Sequence, residues 1–152
     1  MKRKKIAEGN VHAIPLRDDR YAICIITRHA RTGATVGYFY GPPVRTVPTL
    51  PEHFDPSQVV LVARFGDYPI VNNVWPFIGK LPQWQRDRWP STRFFRGDHK
   101  AGYTVVYDDR DPSEVVAEYK ASDEELSLPS NDFFGDLALQ VRLSEIFRNL
   151  DM

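Results

Sequence analysis

The sequence predicts a mainly β domain, either a small, strongly bent, partly open β-barrel or a sheet of that kind, with a short C-terminal helix. Three observations predict it. Twelve prolines are spread along the 152 residues, and this spacing breaks a chain into short elements. Several runs are rich in β-branched and aromatic residues, as strands are. The first strands are apolar on both faces, which indicates a sheet covered on both sides or a barrel with plugged ends.

The first two strands and their turn lie within GNVHAIPLRDDRYAICIITR, residues 9–28. Successive side chains of a strand point to opposite faces, so Val11 and Ala13 share one face of the first strand. His12, the next apolar positions and the whole of YAICIIT place bulky groups on both faces. Asp18 and Asp19 suit the turn, because a short carboxylate bonds nearby backbone amides and tolerates a left-handed backbone.

Further strands follow in order along the chain. ATVGYFYG is the third strand, and its inner Gly37 predicts a bulge or a sharp bend. The proline-rich connection GPPVRTVPTLPEHFDPS holds apolar residues, so we expect it to pack as an extended loop. Five more strands are predicted, the last with a short helix as the alternative, within the segments QVVLVARFG, NVWPFIGKLP, STRFFRGD, GYTVVYDD and SEVVAEYKA.

The C-terminal segment fits two patterns. Leucine and valine alternate with other residues over 137–143, which is typical of a strand. Leu139, Leu143 and Phe147 also fit helical spacing. We predict a strand at 137–143 and a short helix at 144–150.

Length and cysteine content predict one domain in a reducing compartment. A chain of 152 residues suits a single domain over 1–152, able to bury roughly 70% of its unfolded surface. Residues 1–7, which contain KRKK, are expected to be a disordered basic end. Cys24 is the one cysteine, which fits a reducing environment. Without a secretory signal pattern or 18 consecutive apolar residues, we expect a cytoplasmic protein with no membrane partner.

No motif in the sequence predicts a reaction centre. The segment DDRD at 108–111 lacks the glycine and closing glutamate of a calcium loop, and phosphate-cradling and nucleophile-elbow patterns are missing. Cys24 is expected to act as a small buried apolar residue. We therefore predict no cofactor, no metal and no enzymatic activity, with a site that converges only in three dimensions as the alternative. The histidines do not stand at zinc-ligand spacing from one another; they are His12, His29, His53 and His99.

One segment supports an alternative function, a small β-barrel that binds nucleic acid. RWPSTRFFRGDHK, residues 88–100, mixes five basic side chains with Trp89, Phe94 and Phe95, a combination found in single-strand binders. The same aromatic residues suit a protein core equally well. A formal net charge of zero argues against a general binder of polyanions, so we regard nucleic acid as an unlikely partner.

Charge is divided unevenly along the chain. Residues 1–100 hold 16 Lys and Arg against 8 Asp and Glu, whereas residues 101–152 hold 4 against 12. The two parts could pack so that their charges mix. Alternatively, the last third of the chain builds an acidic face.

EGNVHAIPLRDDRYAICII resembles the opening signature of the immunity protein 26 family, whose members accompany bacterial polymorphic toxins. Asn10 stands where the family usually has Asp, Asp19 replaces the usual turn glycine, and Cys24 lies where a small residue is common. The resemblance covers about residues 8–96. It rests on Gly9, Val11, Ala13, Ile14, Pro15, Leu16 and Tyr21, and in NVWPFIGKLPQ on Trp75, Ile78, Gly79 and Pro82.

The resemblance implies a protein that neutralises a cognate toxin by binding it, without catalysis. If the toxin is a nuclease, its cleft is basic, and an acidic inhibitor face would speed encounter and fill that cleft. The oligomeric state is left open by the sequence. The candidate toxin-binding residues are the carboxylates of the acidic part, Asp108, Asp109, Asp111, Glu114, Glu118, Asp123, Glu124, Glu125, Asp132 and Asp136.

Overall fold

The computed structural model describes residues 6–97 and 101–151. The described part of the chain contains nine strands in two sheets and, at its C-terminal end, one long helix. The strands are β1 Asn10–Pro15, β2 Tyr21–His29, β3 Ala34–Val44, β4 Leu61–Gly66, β5 Phe77–Lys80, β6 Arg93–Gly97, β7 Gly102–Tyr107, β8 Val115–Lys120 and β9 Phe133–Phe134. The α-helices are α1 Tyr68–Val71 and α2 Asp136–Leu150, and short 3-10 helices lie at Pro56–Gln58, Arg86–Arg88 and Glu124–Ser127.

The larger sheet has six strands in the order β5-β1-β2-β3-β4-β9, and the smaller sheet has the order β6-β7-β8. All pairs are antiparallel except β4 with β9. The prediction of a mainly β fold with a C-terminal helix is confirmed. The strands form two open sheets and do not close into a barrel. Expected strands within all five later segments are confirmed, and SEVVAEYKA forms β8 rather than a helix.

The opening hairpin forms as its sequence predicts. Asp19 adopts a left-handed backbone with φ of 65°, and an Asp18 carboxylate oxygen accepts a hydrogen bond from the Arg20 amide at 3.2 Å. The pairing of β2 with β3 shifts register between Ile26 and Arg28, beside Gly37. The irregularity predicted at Gly37 is therefore confirmed.

One face of the larger sheet packs against α2. Leu139, Leu143 and Phe147, spaced four residues apart, are buried on the same side of the helix. Leu137 is 66% exposed. The strand predicted at 137–143 is therefore wrong: a single helix spans the segment, because one apolar stripe of period near 3.6 is enough to cover the sheet.

The opposite face is covered by irregular segments. Val11, Ile25 and Tyr38 pack there against Leu81 and Trp89. The proline-rich connection adds Leu50 and Phe54 to this cluster, as its apolar content predicts. Both faces of the opening hairpin are thus buried, which accounts for its apolar side chains on both sides.

The two sheets meet through a third apolar cluster and a buried arginine. Val36 of the larger sheet packs with Phe94 on β6 and with Val105 and Tyr107 on β7 of the smaller sheet. Arg64 on β4 lies with its guanidinium 4.0 Å from the centre of the Tyr107 ring. Burial lowers the pKa of Arg64, but an arginine guanidinium stays charged at neutral pH, so Arg64 is a charged link between the two sheets.

Three predictions concern the rest of the chain. Cys24 is fully buried, and burial raises the pKa of its thiol, so its role as a buried apolar residue is confirmed. The predicted disordered end falls largely on residues 1–5, which lie outside the described residues, whereas Ile6 packs against the cluster under α2. None of the helices in residues 6–97 and 101–151 is long and apolar enough to cross a membrane.

Candidate binding surface

The smaller sheet presents one covered edge and one open edge. At β6, the Phe95 amide donates to the Pro129 carbonyl, and the Asn131 amide donates to the Phe95 carbonyl, both at 2.7 Å. The segment 129–131 thus lies along this edge. At the other edge, β8 pairs only with β7 within the described residues.

Every residue of β8 is exposed. Val115, Val116 and Tyr119 keep 50%, 54% and 43% of their surface, although residues of these types usually pack in a sheet. The Ala121 amide donates to the Gly102 carbonyl of β7. Because backbone groups alternate in direction along a strand, the amides of Lys120 and Glu118 face away from β7. The strand therefore offers apolar side chains together with backbone donors that have no partner among the described residues.

Three of the ten acidic candidates lie in the turn before β8, where they either bond to amides of the turn or join it to arginines of other segments. Asp108 accepts from the amides of Arg110 and Asp111 at 2.8 and 3.1 Å, and Asp111 accepts from the Ser113 amide at 3.0 Å. Asp111 has a lowered pKa because of its bonds to the Ser113 side chain and amide. These two carboxylates hold the turn in shape.

The third, Asp109, joins the two layers. Its carboxylate accepts from Nε of Arg28 at 3.1 Å and also pairs with Arg86. Arg28 lies on β2 and is only 4% exposed. Partial burial acts to raise the pKa of Asp109, but the bonds and charges of Arg86 and Arg28 outweigh it and lower the pKa.

Two more carboxylates pair with arginines of β6. Glu118 on β8 pairs with Arg96 on β6. Glu125 accepts from the Tyr119 hydroxyl at 2.6 Å and pairs with Arg93 at 3.4 Å. The Tyr119 bond, followed by the Ser122 amide, lowers the pKa of Glu125 to about 2. Half of the candidates are therefore engaged within the protein.

The other five carboxylates form no ion pair with any described residue; they are Glu114, Asp123, Glu124, Asp132 and Asp136. Glu114 immediately precedes β8, and Asp123 and Glu124 follow it closely. All three are exposed. We call β8 with these three flanking residues the β8 surface.

The basic and aromatic segment gives the nucleic-acid alternative little support. Trp89 and Phe94 are 3% and 1% exposed, so their rings pack in the interior and offer no stacking platform. Arg93 pairs with Glu125 and Arg96 with Glu118, and Arg86 pairs with Glu8 at 2.7 Å. Residues 98–100 of this segment lie outside the described residues.

The structure also joins a histidine to a carboxylate that the sequence did not connect. Nε2 of His29, at the end of β2, lies 2.9 Å from Asp67, which precedes α1. The Asp67 amide donates to the Gly33 carbonyl, so this pair ties the β2–β3 turn to α1. In the parts of the chain that the structure describes, no group of three or more His, Cys, Asp or Glu could hold a metal ion.

A groove of about 580 Å³ lies beneath the proline-rich connection. Its walls include Tyr21, Tyr40 and Phe54. The Tyr40 hydroxyl donates to the Asp55 carbonyl at 3.0 Å, while the Asp55 carboxylate accepts from the Ser57 amide at 2.9 Å. The Tyr40 hydroxyl therefore ties the connection to β3, a link for which the sequence carried no signal beyond its prolines.

Comparison with known proteins yields one match. A family model described as Immunity protein 26 matches residues 7–103, well over half of the chain. No curated protein and no solved structure matches. The matched residues include the first six strands, whereas the β8 surface lies beyond them.

Proposed function

The chain belongs to the immunity protein 26 family, and from that premise we propose that it binds and neutralises one cognate bacterial toxin, a nuclease, through the β8 surface. The family assigns toxin neutralisation in general. That the toxin is a nuclease, and that it contacts the β8 surface, are our proposals. Binding without catalysis is proposed for this chain because an inhibitor requires only a complementary surface.

One observation carries the choice of surface: Glu114, Asp123 and Glu124 are exposed and free of ion pairs among the described residues, and they flank an exposed apolar strand. An engaged carboxylate such as Asp109 would have to give up its arginines before it could bind a partner. The unpaired carboxylates bear no such cost. Apolar area between them can supply affinity, since buried apolar surface contributes about 25 cal/mol per Å².

Charge explains why a nuclease fits. A nuclease cleft must be basic to hold phosphates, and opposite charge raises association rates well above the neutral range of about 10⁵–10⁶ M⁻¹s⁻¹. Salt screens such steering, with a Debye length of about 3 Å at 1 M. The proposal therefore predicts fast, salt-sensitive association.

The function is tested by co-expression. The candidate toxin is sought among the genes that neighbour the gene for this chain, and its toxin domain is produced in bacterial cells with and without this protein. We expect growth when both are present. Cells that die equally fast in both cases would show that this protein does not neutralise that toxin.

The contact surface is tested by charge reversal with a matched control. Reversing Asp123 and Glu124 to Lys should slow association with the inactivated toxin domain about tenfold or more at low salt, with little difference near 1 M. Glu52→Lys with Asp87→Lys makes the same change in net charge at exposed residues far along the chain from β8. Equal slowing by both pairs would mean that only net charge matters and would remove the β8 surface from the proposal.

A further inference from the structure

We infer that β8 receives an extended, basic strand of the toxin, which adds to the smaller sheet as a fourth strand. This inference rests on the proposed function and specifies how its surface is used. Strand addition supplies affinity through main-chain hydrogen bonds and specificity through alternate side chains.

The backbone of β8 is available on one side. The Ala121 amide bonds to β7, so the amides of Glu118 and Lys120 point outward. β8 has six residues and no proline, and its pairing with β7 is regular over residues 117–120, with one register shift beside Val116. A partner strand can therefore pair along 117–120, which includes both outward amides.

The other sheet edges are less open. The β6 edge is occupied by residues 129–131. In the larger sheet, β9 has two residues and β5 has four. Proteins commonly protect edges by covering them, keeping them short or placing charge on them. Of these devices, β8 has charged side chains, together with one register shift beside Val116, and its Val115, Val116 and Tyr119 stay exposed.

Charge identifies the occupant. Glu114, Asp123 and Glu124 surround the edge, and Lys120 is the single basic residue of β8. A strand carrying Lys or Arg would meet opposite charge at both ends of β8. A second copy of this chain would instead bring the same excess of carboxylates, which disfavours pairing of β8 with itself.

The location of β8 also suits selection of one partner. The family match ends at residue 103 and therefore includes the larger sheet and β6. β8 lies beyond this matched frame. A surface outside the shared frame can differ in sequence without disturbing it.

The first test removes one outward amide. Glu118→Pro deletes the backbone donor and places a ring at the open edge, while Glu118→Ala removes the same side chain and its pairing with Arg96 but keeps the amide. We expect Glu118→Pro to weaken binding to the inactivated toxin domain by tenfold or more, and Glu118→Ala by about threefold at most. Equal affinities for the two variants would overturn the inference.

The second test needs no variant and covers the case in which Glu118→Pro fails to fold. Hydrogen exchange of the wild-type chain, followed by NMR with and without the inactivated toxin domain, should show slowed exchange at the amides of Glu118 and Lys120. Unchanged exchange at both amides, in a complex known to form, would overturn strand addition while leaving the proposed function intact. Failure of the wild-type chain to bind or neutralise the toxin would instead refute the proposed function.

Self-pairing is measured in the same samples. Sedimentation of the wild-type chain alone should give a monomer at the concentrations used for exchange. If the chain is a dimer, Glu118→Pro makes it a monomer, and the two amides are protected without toxin, then a second copy occupies β8 and the inference is wrong.

Discussion

Asp109→Asn separates a structural carboxylate from those proposed to bind the toxin. The substitution keeps the size of the side chain and removes its charge. Arg28 is 4% exposed and donates from Nε to Asp109 at 3.1 Å, while Arg86 pairs with the same carboxylate. The variant leaves a buried guanidinium without its carboxylate partner.

The expected cost lies between two limits. Breaking a buried ion pair by removing one partner costs about 3–5 kcal/mol, and an exposed pair contributes about 0–1 kcal/mol. Arg28 is buried, but the Asp109 side chain is 53% exposed, so solvent screens part of the interaction. We expect Asp109→Asn to lower the free energy of unfolding by about 1–3 kcal/mol.

The assay is urea unfolding at pH 7, followed by tryptophan fluorescence. Asp123→Asn serves as the control, because this exposed carboxylate has no described ion pair and should change stability by about 0.5 kcal/mol at most. Equal unfolding midpoints for Asp109→Asn and the wild-type chain would refute the assignment of Asp109 to structure.

Acid gives a second reading of the same interaction. Although burial acts to raise it, the pKa of Asp109 is lowered overall by Arg86 and Arg28. A lowered folded pKa gives stability that is present above the unfolded value, near 3.9, and is lost as pH falls through the folded value. The difference between Asp109→Asn and wild type should therefore be complete at pH 7 and shrink below about pH 4. A constant difference down to pH 2 would contradict the ion-pair explanation.

Three further predictions concern the core and the smaller sheet. Leu143→Ala should lower the free energy of unfolding by about 2–5 kcal/mol, since Leu143 is fully buried, whereas Leu137→Ala at an exposed position should cost less than about 0.5 kcal/mol; similar costs in urea unfolding would argue against the helix. Gly37→Ala should cost about 1–3 kcal/mol by the same measurement, because the added carbon would lie 2.7 Å from the Cys24 sulfur; a neutral effect would mean that this packing relaxes freely. The pKa of Glu125, lowered to about 2, gives stability that is present above its ordinary value of 4.5 and is lost as pH falls toward 2; Glu125→Gln should therefore flatten the decline of thermal stability over that range, and an unchanged slope would show that this carboxylate is not responsible.

Short-range patterns predicted much of the fold. Asp18 and Asp19 form the expected turn, and Gly37 lies beside the expected irregularity, because turn chemistry and strand alternation act between neighbours in the chain. The segment 137–143 was predicted wrongly, since its leucines satisfy both a period of two and a helical period. Packing against the larger sheet decides between them: the helix buries Leu139 and Leu143 and leaves Leu137 and Val141 exposed, whereas a strand would place all four on one face.

The candidate binding surface was likewise predictable only in part. The sequence alone determined that the last third of the chain is acidic and that the side chains of its strands alternate between two faces. It could not determine which carboxylates are free, because Asp109 meets Arg28 across 81 residues and Glu118 meets Arg96 across 22. The open edge of β8 was equally beyond it, since an edge exists only once strand order is fixed. Tertiary structure decided both, because ion pairs and sheet edges depend on which distant segments lie side by side.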